Sequence, residues 1–302
     1  MTIVRWEELM PREFVARQAE QPLVYLPMGL CEPHGHPAAF GLDTFKAVWL
    51  CEQAARRHGG VVAPTQGYHI HETGYHRPWL AEVIGGPNPY LAAVPPDVLL
   101  RMLLFQMRAF ANAGFRGIVI VTGHHGNQAD LRLVAEEFTI TRPIQILAVS
   151  DPELVSGVFA GDHAGNYELS QLLHVRPDLV DLGRVPDESS SPLGRFAQGD
   201  DAVEASGEHG RAIMEAALDE LGRRITDLGP LDTTIDPLSI DDTELIWRRI
   251  LARRAEWRTL SEQDPDENPS PQHIRGPAAL GRVASSTVRG ERHDHHGHLP
   301  LQ

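Results

Sequence analysis

Cysteine is scarce. Cys31 and Cys51 are the only two in 302 residues, too few for a disulfide framework, so a reducing, cytoplasmic setting is expected. Long apolar runs are missing as well: no stretch approaches the ~20 residues that a membrane span needs. The opening Met-Thr-Ile-Val-Arg-Trp-Glu-Glu lacks the basic head and apolar core of a signal peptide. Basic residues are outnumbered, 27 Lys and Arg against 41 Asp and Glu, for a net charge of -14. That balance argues against nucleic acid, whose backbone is bound by basic patches. What is present is a 42% hydrophobic share, ample for a real core, so a soluble globular protein of one large or two small domains is expected.

Taken in order, Trp6 to Gln18 carries a loose helical pattern, with Pro11 in its first turns or breaking it. Leu23-Val-Tyr-Leu-Pro27 reads as a short buried strand. Apolar positions at helical spacing from Thr44 to Arg57 end at His58-Gly-Gly60, a stop signal, before a strand at Val61–Ala63. Residues 67 to 96 look like loop. A helix is expected from about Asp97 to Ala113, and the uninterrupted Gly117-Ile-Val-Ile-Val121 reads as a strand buried on both faces. A further helix (Gln128–Phe138) and strand (Ile144–Val149) follow. Alternating strands and helices predict an α/β fold, a three-layer α/β/α sandwich with a mostly parallel central sheet. Residues 1–229 form that domain in this reading. Residues 230–302 form a C-terminal extension with one basic amphipathic helix at about 244–258, acting as an oligomer clamp, a lid, or simply packed on its own domain. A polar tail follows from about Ser261.

Three stretches carry chemistry. In Met28-Gly-Leu-Cys-Glu-Pro-His-Gly-His-Pro-Ala-Ala-Phe-Gly-Leu-Asp43, Glu32 and His34 stand two apart, which on an extended backbone points both to one side. With Asp43 they supply the carboxylate and imidazole donors that a divalent metal needs. Cys31 should then face the core. Thr122-Gly-His-His-Gly-Asn127 lies between a strand and a helix, where ligands of open α/β sheets collect. Gly161-Asp-His-Ala-Gly-Asn-Tyr-Glu-Leu-Ser170 opens another helix, and His163 and Glu168 are spaced to turn inward together.

In this order, these motifs resemble the creatininase family of metal-dependent amidohydrolases, from about residue 20 to residue 225. Glu204-Ala-Ser-Gly-Glu-His-Gly-Arg211 is similar to a late family segment. The resemblance implies two divalent ions, Zn²⁺ and/or Mn²⁺. Glu32 and His124 would hold one, His34 the other, and Asp43 would bridge them. Creatininase itself carries a glutamate where this chain has Gly126. In relatives with glycine there, the residue matching Glu168 replaces it, so Glu168 is assigned to the second ion. His163 matches the family's catalytic histidine. Thr122, His125 and Asn166 depart from the common Asn, Gly and Glu.

Such an ion pair, about 3.5–4 Å apart, can share a hydroxide at neutral pH that attacks a carbonyl polarised by one ion. His163 would then protonate the leaving group. The loop 68–79 is the expected substrate wall, offering His69, His71, Glu72, His76 and Trp79, with His125 opposite. Its alternative is an intersubunit loop. His36 is expected just outside the ligands. The resemblance further implies a homo-oligomer, a hexamer first. The expected activity is hydrolysis of a small polar cyclic substrate at a C–N amide bond. One alternative is opening of a cyclic ketone at a C–C bond, as in family members acting on 3-dehydro-scyllo-inosose. The other is a non-catalytic metal-binding scaffold using the His-rich ending Arg292–His298.

Overall fold

The computed structural model describes residues 2–84, 90–187, 196–232 and 234–262. Among these, the sheet has strands β1 (Leu23–Met28), β2 (Val61–Val62), β3 (Gly117–Thr122) and β4 (Gln145–Ser150) in the order β2-β1-β3-β4. All pairings are parallel. Helices α1 (Pro11–Glu20), α2 (Leu42–His58), α3 (His76–Val83), α4 (Pro96–Asn112) and α5 (Gln128–Thr141) connect or flank them. Then come α6 (Asp151–Leu154), α7 (Asn166–Val175), α8 (Gly207–Thr226) and α9 (Ile240–Ala252). No helix among the described residues is long and apolar enough to cross a membrane.

Strand alternation sorts the core into two layers. Val24, Leu26 and Met28 of β1 join Ile118 and Ile120 of β3 in a core with α4 and α5. Leu23 and Tyr25 join Val119 and Val121 in a second core with α2 and α8. These are the three layers expected from the alternating pattern. Met28, Thr122 and Ser150 are register partners at the carboxyl ends of β1, β3 and β4. The loops leaving those strands therefore open on one edge, which is where the chemistry-bearing residues lie.

Two sequence expectations need correction. The stretch 67–96 is not all loop, because α3 starts at His76. The C-terminal helix runs over Ile240–Ala252, earlier than 244–258, because Ser239 caps it by accepting from the Asp242 N–H at 3.0 Å. It packs on its own domain: Leu238, Ile246, Trp247, Ile250 and Trp257 join the core that holds α4 and α5. The polar tail and the His-rich ending lie outside the described residues.

Helix α8 crosses α7 at contact distance through Gly210. A methyl group there would fall 1.7 Å from the Ser170 carbonyl oxygen, a backbone atom that has no room to yield. Gly210→Ala is therefore expected to cost about 3 kcal/mol, the upper end for overpacking, seen as a lower urea midpoint at unchanged m-value.

Candidate metal centre

Glu32 and His34 meet the site from a loop, not from a strand. β1 ends at Met28, and Gly29 follows because a side chain there would strike the Thr44 backbone at 2.4 Å. The His34 ring is oriented by its Nδ1, 3.1 Å from the Glu32 carbonyl oxygen, which leaves Nε2 facing inward. Asp43 comes from the first turn of α2 and Glu168 from that of α7. His124 comes from the loop after β3.

These side chains converge with almost no exposure. Glu32 is 2% exposed, His34 and Asp43 1%, His124 5% and Glu168 6%. His34 Nε2 lies 3.3 Å from both Asp43 Oδ1 and Glu168 Oε2. His124 Nδ1 lies 2.8 Å from Glu32 Oε1 and 3.6 Å from Asp43 Oδ2. Asp43 thus stands between the two histidines, one oxygen toward each. Ligating atoms of Glu32, His71 and His124 fall within 4.8 Å of one another, as do those of His34, Asp43 and Glu168. Glu32, His34 and His163 form a third such group.

The donor set fits divalent ions. His34 Nε2, His124 Nε2 and both Asp43 oxygens are buried without a hydrogen-bond partner. Orphaned polar atoms at that depth are costly unless an ion takes their lone pairs. Without an ion, the charges pair among themselves. Burial alone would push the His34 imidazolium down, but Asp43 and Glu168 outweigh it and hold its pKa well above the usual value. His124 is pushed up to about 9, burial being overcome by Glu32 and Asp43. Each histidine must therefore release a proton to solvent before its ring can take an ion.

Around this cluster the substrate-wall residues divide. His71 goes to the centre itself, with Nε2 3.0 Å from Glu32 Oε2 and its ring 4.8 Å from that of His124. His69 is fully buried and held by Asn127 Nδ2 at 2.6 Å, behind the site. The His76 ring lies tilted against that of His71, centres 4.6 Å apart. His125 is half-buried and turned to Ser150 Oγ at 3.0 Å. Glu72 is exposed and belongs to none of the three groups; the structure does not bring it in. The side chain of Trp79 lies outside the described residues. His36 turns aside onto Phe196, ring centres 4.9 Å apart. Cys31, expected in the core, is half-buried.

His163 stacks on His34 at 4.7 Å, and its Nε2 lies 3.1 Å from the Pro33 carbonyl oxygen. A carbonyl only accepts, so Nε2 carries the proton and Nδ1 keeps its lone pair on the side of Glu168, 3.9 Å away. Burial lowers its pKa, favouring the neutral ring. Its side chain is 16% exposed, more than those of Glu168, His34 or Asp43.

Gly126 adopts φ +115°, and a side chain there would meet His76 Nε2 at 2.7 Å and Tyr75 Oη at 2.8 Å. The space beside residue 126 thus belongs to the loop 68–79. That loop is tied down from outside. Tyr75 donates to the Gly126 carbonyl at 2.7 Å and Thr73 to the Thr259 carbonyl at 2.7 Å.

Two neighbours of the cluster were not picked out from the sequence. Lys46, 1% exposed, reaches Glu168 Oε1 at 2.6 Å, Asp151 Oδ1 at 3.4 Å and Asp43 Oδ1 at 3.6 Å. Asp151 in turn accepts from Tyr167 Oη at 3.1 Å and Gln171 Nε2 at 2.9 Å. A signal for Lys46 was there: it is the one lysine among 27 basic residues, and it falls on the buried stripe Leu42, Lys46, Leu50, Ala54 of α2.

A family model described as creatinine amidohydrolase matches residues 7–227. The chain is 29% identical over 202 residues to the creatinine amidohydrolase of Pseudomonas putida, covering 60% of this chain and 75% of that protein. It is 29% identical over 123 residues to the 3-dehydro-scyllo-inosose hydrolase of Thermotoga maritima, covering 41% of this chain and 36% of that protein. Among solved structures, a creatininase superposes with a TM-score of 0.63 at 24% identity, over 76% of this chain and all of the other. Similar creatininase structures include a manganese form and one of zinc–zinc type.

Proposed function

The chain belongs to the creatininase family of metal-dependent amidohydrolases, and on that premise we propose that it hydrolyses a small, polar, cyclic substrate at a C–N amide bond with two divalent ions. In this reading Glu32, His124 and Asp43 hold one ion, and His34, Asp43 and Glu168 the other. Zinc or manganese suits donors of this kind, all oxygen and imidazole nitrogen. His71 fixes the far oxygen of Glu32. Bound ions of this class supply a water of lowered pKa and polarise a carbonyl. The observation that carries the reading is the set of four buried ligating atoms on His34, Asp43 and His124 that converge on one centre and have no hydrogen-bond partner.

The remaining work falls to the chain's own side chains. A neutral His163, with its proton held on Nε2 by Pro33, offers Nδ1 to take a proton from the attacking water and return it to the departing nitrogen. Tyr75 and His76 take the space that a side chain at residue 126 would occupy, and His76 with its neighbour His71 places hydrogen-bonding rings against a polar ligand. Burial of the cluster excludes bulk water from the reacting carbonyl.

Gly126 favours a second reading, ring opening of a cyclic ketone at a C–C bond, because the creatininase glutamate is absent and Tyr75 and His76 fill its place. Incubating the ion-loaded protein with cyclic amides and with cyclic polyhydroxy ketones separates the two. Equal amounts of new amine and carboxylate, followed by NMR, are expected. A ring-opened acid without nitrogen would transfer the assignment to the second reading. Turnover of neither class by protein holding both ions would overturn both.

A further inference from the structure

The buried ammonium of Lys46 sits against the back of one half of the centre. It shares Glu168 and Asp43 with the His34 group, while among the described residues no ion pair links it to Glu32, the carboxylate that faces His71 and His124. Resting on the two-ion reading above, we propose that Lys46 is a resident cation that makes the two metal positions unequal, so that the His34–Asp43–Glu168 position binds its ion more weakly than the Glu32–His124 position.

The carboxylates that would hold the ions, Glu32, Asp43 and Glu168, bring three negative charges, fewer than the four positive charges of two divalent ions, and Lys46 lies against two of the three. The shortfall is felt where the ammonium lies. Glu168 gives Oε1 to Lys46 at 2.6 Å, leaving Oε2 for His34 and for the Ala164 N–H, which donates to it at 2.9 Å. An ion at this position therefore meets a carboxylate already half-neutralised, beside a like charge in a medium of low dielectric constant. Burial alone would lower the Lys46 pKa, but Asp151, Glu168 and Asp43 outweigh it and hold the ammonium charged.

The same geometry gives Lys46 a positioning role. By fixing Oε1 it leaves one Glu168 oxygen directed at the centre. Arginine does not replace it easily: the guanidinium is planar and larger, and this side chain lies fully inside the protein.

Because the chain has one lysine, labelling with ¹⁵N-lysine yields one Nζ resonance that reports this half of the centre. Zinc is titrated into the metal-free full-length protein while that resonance is followed, with binding measured in parallel by calorimetry. The expected result is two steps. The first equivalent binds tightly and shifts the Nζ signal only in small part, through the shared Asp43; the second binds at least about tenfold more weakly and shifts it most. In Lys46→Met the second step is expected to tighten by tenfold or more, and a variant poorly folded without metal is expected to regain its fold with zinc. An Nζ signal that moves fully with the first equivalent would overturn the proposal, as would a second step in Lys46→Met no tighter than in the parent. Failure to bind zinc at all would instead sink the two-ion reading on which it rests.

Discussion

Asp43→Ala is expected to lose bound metal from both positions and to reduce hydrolysis at least a hundredfold. The expectation follows from where the carboxylate stands. Oδ1 faces His34 at 3.3 Å and Oδ2 faces His124 at 3.6 Å, and neither oxygen has a hydrogen-bond partner. No other carboxylate touches both histidines among the described residues. Changes to residues that merely support metal ligands already cost 10- to 100-fold in affinity or activity, roughly, so removal of a shared ligand should exceed that range. Elemental analysis of purified protein and a turnover assay on the same sample check it. Retention of both ions in Asp43→Ala would show that the carboxylate only balances the charge of His34 and His124.

A comparable loss, this time of stability, is expected from Asp130→Ala. Asp130 is 1% exposed in the first turn of α5. It accepts the backbone N–H of Arg258 at 2.8 Å and of Thr259 at 3.0 Å, and the Thr259 hydroxyl as well. Removing the acceptor leaves buried donors unsatisfied, at about 1 kcal/mol or more each, so a loss of about 3 kcal/mol is expected. The effect should reach the centre. The segment held by Asp130 also receives the Thr73 hydroxyl, and Gly74 presses so closely on it that a side chain would lie 2.6 Å from the Ser261 carbonyl oxygen. Release of residues 257–262 should therefore speed amide exchange in residues 69–76, while β3 stays protected. The milder Thr73→Val should show the same local pattern with a smaller loss of stability. Unchanged exchange in 69–76 would mean that the loop is held by Tyr75 and Gly126 alone.

The frame of this protein was legible because each layer obeys one simple period. Gly117-Ile-Val-Ile-Val121 has no polar position to expose, so it had to be a central parallel strand, and it pairs with both β1 and β4. Glu32, His34, Asp43, His124, His163 and Glu168 were recoverable from three short motifs, and the fold brings all six together. What escaped depends on contacts far apart in sequence. His71 looked like one histidine among several in a polar loop. Its place against Glu32 depends on how Tyr75 and Thr73 anchor that loop, to Gly126 and Thr259. Lys46 was masked by its helix, where one charged residue on an apolar stripe passes for a surface position until its three carboxylates are seen. The strand geometry first offered for Glu32 and His34 also failed, because Gly29 ends the strand to let α2 approach.

The most direct test of the two-ion centre is metal content per chain in the full-length protein, measured after dialysis against zinc or manganese and repeated in Glu32→Ala and in a chain lacking residues 290–302. Loading should tighten as the pH rises toward 9, since an ion must displace the protons on His124 and His34. The account predicts about two ions per chain, a clear loss in Glu32→Ala, and no change on removing the His-rich ending. Metal that survives Glu32→Ala but disappears with residues 290–302 would contradict it and make this chain a metal-binding scaffold.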